Sequence, residues 1–75
     1  MPITPFLRGQ AFDPDMLKNM SDAFTQACAE LGLKDRDDRL TQLVASHIIG
    51  LAQRGVQTKT ALYFLTIEEF KSHPQ

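Results

Sequence analysis

The sequence predicts an all-α fold: a three-helix bundle, made of a helical hairpin plus a third helix, with an extended N-terminal arm and a tendency to self-associate. Three observations carry this expectation. Apolar residues recur at spacings of three and four through residues 13–31 and 38–54, the period of a helix with one buried face. Both stretches open on aspartate and close on glycine followed by an apolar residue, which is how helices start and stop. The chain has 75 residues and one cysteine, and a core of that size is weak unless it is stapled or shared between copies.

Residues 1–12, MPITPFLRGQAF, form the arm. Pro2 and Pro5 oppose a regular helix start. Ile3, Phe6 and Leu7 are apolar, and a free tail would be more polar. The arm is therefore expected to lie on a surface, its own chain's or a partner's. Residues 13–75 are read as one domain, with helices over about 13–31, 38–54 and 58–72.

Helix 1 starts at Asp13, whose carboxylate suits the free amides of a first turn. Pro14 loses no hydrogen bond at the first helical position. Phe12 is placed to staple onto Leu17. Leu17, Met20, Phe24, Ala27 and Leu31 make the apolar stripe, widened by Met16, Ala23 and Cys28. Gly32 and Leu33 suit a Schellman ending.

The second helix, DRLTQLVASHIIGLAQRG, is the central one. At 100° per residue, Leu40, Leu43, Val44, His47, Ile48 and Leu51 share a face, and Ala45 and Ala52 extend it sideways. So wide an arc calls for neighbours on two sides. Ser46 and Gly50 form a small-residue notch one turn apart. Mid-helix glycine costs ~1 kcal/mol relative to alanine, so another helix is expected to pack over the notch. His47 sits mid-face, where burial would favour a neutral imidazole hydrogen-bonded to a neighbour.

The third helix is expected from the Thr58 cap to about Ser72. The run ALYFLTI also has strand propensity, but a lone strand would have no partner. Leu62 and Leu65 point one way, while Tyr63, Ile67 and Phe70 point another, about 140° apart on the wheel. One set is expected to stay outside with Phe64. This makes Leu62, Tyr63, Phe64, Ile67 and Phe70 the candidate interface of a homodimer. The arm, through Phe6 and Leu7, is the rival cover for that patch.

FDPDMLKNM, A…ACAELGL, DRDD and LVA..II.LAQRG together resemble a group of short bacterial helical proteins and domains of unknown function. The resemblance covers residues 12–55 and implies a helical fold without chemistry. In that group the third helix often opens with Asp-Pro, where this chain has Thr58-Lys59.

Candidate chemistry is sparse. Cys28 and His47 are the available nucleophile and base, but both lie in apolar stripes, and buried cysteine behaves as a small hydrophobe. Asp35, Asp37 and Asp38 begin like a calcium loop, then Arg39 takes the next ligand position and no glycine follows at the sixth. Glu68 and Glu69, adjacent on a helix, diverge. No phosphate-binding glycine loop occurs. The reading is of a protein that is not an enzyme and takes no cofactor or metal.

Net charge is −1 and the pI near 6.0, which gives no global attraction to nucleic acid or an anionic membrane. A helix-turn-helix DNA-binding regulator is the alternative function. A recognition helix needs Arg, Lys, Asn or Gln outward. The middle helix offers Gln42, Gln53 and Arg54, and the third offers Lys59 and Lys71, offset by Glu68 and Glu69. Helix 1 with its cap carries four acids against one lysine. No apolar run nears the ~20 residues of a membrane span, no secretory signal is read at the N-terminus, and a lone thiol suits a reducing cytoplasm. The expected role is a self-associating interaction or regulatory module in the cytoplasm, pairing with itself or with a further protein.

Overall fold

A computed structural model describes residues 3–7, 9–34 and 38–72. A single 3₁₀ turn at Thr4–Phe6 precedes three helices: α1 (Pro14–Leu31), α2 (Arg39–Gln53) and α3 (Lys59–Ser72). The described residues contain no strand.

Local hydrogen bonds set most of the helix ends. Asp38 Oδ1 accepts from the Leu40 amide at 2.8 Å, capping α2. Thr58 Oγ1 accepts from the Ala61 amide at 3.2 Å, capping α3. Asp13 differs from expectation: its carboxylate accepts no capping bond, and only its carbonyl does, from Leu17 N at 2.9 Å. Pro14 supplies the start instead, since its ring presets a helical φ and its nitrogen has no proton to satisfy.

The two glycine endings are the same motif. Gly32 takes φ 74°, with Leu33 N donating to Cys28 O at 2.8 Å and Gly32 N to Ala29 O at 3.2 Å. Gly55 takes φ 100°, with Val56 N donating to Leu51 O at 3.0 Å and Gly55 N to Ala52 O at 3.1 Å. These paired bonds define the Schellman ending, whose left-handed residue is cheap only for glycine.

Each helix touches the other two. Lys71 Nζ meets Glu30 Oε2 at 2.9 Å, and Asn19 Nδ2 donates to the Gln57 carbonyl at 3.0 Å. Both contacts join like ends of α1 and α3, so these two helices run in the same direction. The core takes Met20, Ala23, Phe24, Ala27 and Cys28 from α1, the middle of the stripe expected there, while Met16, Leu17 and Leu31 at its ends are half-buried. From α2 it takes Thr41, Val44, Ala45, Ile48, Ile49, Leu51 and Ala52. That face is turned toward the alanine side of the expected one. Leu43 points out, and Leu40 and His47 are only half-buried. This rotation buries Ile49 where Leu43 was expected, so a side chain of equal size takes its place and the small Thr41, Ala45 and Ala52 fill the rest of the face.

The arm is not extended. Phe6 N donates to Ile3 O at 2.9 Å and Leu7 N to Thr4 O at 3.2 Å, closing a turn for which Pro5 presets φ. Gly9 at φ 84° then redirects the chain. Ile3 and Leu7 enter the core, and the Phe6 ring meets Phe24 edge-on at 5.4 Å. The arm thus packs on α1 and α2.

Two hydroxyls, Thr41 Oγ1 and Thr66 Oγ1, are buried without a hydrogen-bond partner among the described residues. A buried unpaired hydroxyl costs ~1–3 kcal/mol. Thr66→Val, which keeps the shape and removes the oxygen, is expected to raise stability by about 1 kcal/mol, read as a higher urea midpoint at unchanged slope. A lower midpoint would mean that the hydroxyl is satisfied.

Candidate interaction surface

The candidate interface on α3 divides between inside and outside. Leu62 is fully buried in the chain's own core and has no surface to give to a partner. Tyr63, Ile67 and Phe70 are half-buried against that core. Only Phe64 stands out, at 60% exposure, and its ring meets Tyr63 edge-on at 5.6 Å. The expected opposition of two sets also changes. Leu62 joins Tyr63, Ile67 and Phe70 on the inner side, and Leu65 turns outward with 42% exposure. The join is Thr66, fully buried between Leu62 and Phe70 along the i, i+4 line. Its polar label hid a continuous inward line whose middle member presents a methyl group.

Sequence reasoning missed the outward turn of Leu43, which is 48% exposed. It lies on the outer stripe of α2 with Arg39, Ser46 and Gly50. A groove of about 950 Å³ runs along one side of this stripe, walled by Leu40, His47 and Phe70. Its charged lining is Asp38, Arg39, Arg54 and Glu69. A second hollow of about 870 Å³ lies on the other side, between α2 and the arm residues Pro5, Phe6 and Gln10. The expected helix over the Ser46–Gly50 notch is absent: a Cβ at Gly50 would meet nothing within 4 Å. The notch is open because α2 turned its alanine face, not its serine–glycine flank, toward the other helices.

His47 is at the groove wall, not in mid-core, with its ring edge-on to Phe70 at 5.8 Å. Cys28 is deep in the core and shares no hydrogen bond with it among the described residues. Burial pushes the Cys28 thiol above its ordinary value of 9.0. Labelling of the folded chain by a bulky maleimide is therefore expected to be slow at neutral pH, with full labelling only after denaturation. Rapid labelling of the folded chain would place the thiol at the surface. The raised value also means that the folded state holds this proton more tightly. The resulting stability is present below pH ~8.5–9 and is lost as pH rises through the folded value.

The side chains suggested for DNA reading are partly engaged within the chain. Lys71 is held by Glu30, and Gln53 Nε2 donates to Gln10 Oε1. Gln42 also has an intramolecular partner, and Arg54 lines the groove. Of the three loop aspartates, Asp38 is a helix cap, while Asp35 and Asp37 lie outside the described residues. Among the described residues no cluster of His, Cys, Asp or Glu could hold a metal, and no helix is long and apolar enough to cross a membrane. Lys71 draws Glu30 below the ordinary carboxylate value, first through the hydrogen bond and then through its charge. No family model matches the chain, and neither a curated protein nor a solved structure matches it.

Proposed function

We propose that the chain is a self-associating interaction module, a three-helix bundle that meets a second copy through part of its outward apolar surface. The observation that carries this reading is the exposure of three large apolar side chains, Leu43, Phe64 and Leu65, on an 8.4 kDa chain. Each Å² of apolar surface left in water forgoes about 25 cal/mol, so exposing large apolar side chains on so small a chain favours covering at least one of them. The arm, the rival cover, packs on α1 and α2 and leaves Phe64 uncovered. A two-fold homodimer is the commonest way to cover such surface, and it would add burial to a core that is weak by size alone. A reducing cytoplasm is the proposed setting, because a chain with a single cysteine cannot form an internal disulfide.

Sedimentation equilibrium over the micromolar range tests the proposal. A concentration-dependent rise from 8.4 kDa toward twice that mass is expected. A species of 8.4 kDa at every concentration would overturn it.

A further inference from the structure

We infer that the outer face of α2 is where the second copy docks, antiparallel, with Leu43 of each copy seated in the notch at Gly50 of the other. This rests on the self-association proposed above and names its surface. Arg39, Leu43, Ser46, Gly50 and Gln53, spaced by four, three, four and three, lie along one stripe of α2, on which Leu43 is the one large apolar side chain and Ser46 and Gly50 are small enough to admit another. Where one helix packs on another, a knob enters a hole bounded by residues i, i+3, i+4 and i+7. Ser46, Ile49, Gly50 and Gln53 have that spacing, and together they line the hollow beside the stripe. Leu43, half out in water, is the knob.

Placing Leu43 of one copy in the hole of the other sets a two-fold axis beside Ser46. Both knobs are then seated at once, since an isologous contact is made twice. The charges agree with this register. Asp38 and Arg54 lie at opposite ends of the face, and both line the groove. Antiparallel docking brings Asp38 of each copy to Arg54 of the other, while Arg39 falls opposite the neutral Gln53. Parallel docking would instead stack Arg54 on Arg54 and Asp38 on Asp38. Among the described residues the charges that line the groove, Asp38, Arg39, Arg54 and Glu69, balance.

Gly50 supplies the independent clue. It lies mid-helix, and among the described residues a Cβ there would meet nothing within 4 Å. Nothing among the described residues explains a residue that weakens the helix. A side chain from a second copy does.

The axis makes the test direct, because a residue beside a two-fold axis is its own neighbour. Ser46→Cys and Phe64→Cys are each made in the full chain, and Cys28, being buried, stays as the internal control. Under mild oxidation, Ser46→Cys is expected to form a disulfide-linked dimer about tenfold faster or more than Phe64→Cys, the factor that a 1.4 kcal/mol preference gives. Gly50→Ala is measured alongside. At a concentration where the chain is monomeric it is expected to melt roughly 4–8 °C higher, through helix propensity. Its dimer dissociation constant is expected to rise by about tenfold, because the notch is filled.

Faster linkage through Phe64→Cys, or equal rates at both positions, overturns the α2 face while leaving self-association standing. A Gly50→Ala chain that is stabilised but dimerises as before overturns the notch. A wild-type chain that stays at 8.4 kDa throughout sedimentation removes both proposals.

Discussion

Phe24→Ala is expected to leave the chain largely unfolded at room temperature. Phe24 is fully buried at the centre of α1 and receives the edge of the Phe6 ring at 5.4 Å. Truncating a buried Phe costs about 3–5 kcal/mol, part lost transfer energy and part residual cavity. A core of this size supplies about the same total, so the two nearly cancel. The lost Phe6–Phe24 edge contact is part of that cost. Circular dichroism against urea reads the outcome. The wild-type chain should show a folded baseline and a cooperative transition, and the variant a transition with no folded baseline. A loss below about 1 kcal/mol would mean that the site collapses onto the missing ring, and that Phe24 is not the centre of the core.

Ile3→Ala carries the second large effect, and its position makes it the sharper test of the fold. Residues so near a chain end usually fray and tolerate change. Here Ile3 has no exposed surface and belongs to the same buried cluster as Phe24, Val44 and Ile48. A cost of about 2–5 kcal/mol is expected, lowering the melting temperature by roughly 8–40 °C at 4–8 °C per kcal/mol. Thr4→Ala, an exposed neighbour in the same turn, is the control and should stay within about 0.5 kcal/mol of the parent. Equal effects from the two variants would mean that the arm is held by its turn and not by what it buries.

What the sequence by itself determined is the part of this protein that local chemistry decides. Asp38 and Thr58 cap, and Gly32 and Gly55 end helices, within a few residues of where they stand. Those bonds span no more than one turn, so no knowledge of the rest of the chain is needed to place them. The stripe of α1 was equally legible, because Met20, Phe24 and Ala27 have no competing face.

The tertiary structure decided which way α2 and α3 rotate, and where the arm goes. On α2, both Leu43 and Ala45 belong to a plausible apolar arc. Burying the alanine side also brings Ile49 into the core, so the rotation exchanges Leu43 for a side chain of the same size and loses little apolar burial. On α3, the apolar residues leave no dominant face, and the line Leu62–Thr66–Phe70 appears only once its neighbours fill the space around a threonine methyl. Ile3 is buried because α1 and α2 leave a gap that it fills, and no pattern within twelve residues of proline-bearing arm contains that gap. The candidate surface follows the same division. Phe64 was visible from its place on the wheel, whereas Leu43 and the open notch at Gly50 exist only because α2 turned its other flank inward.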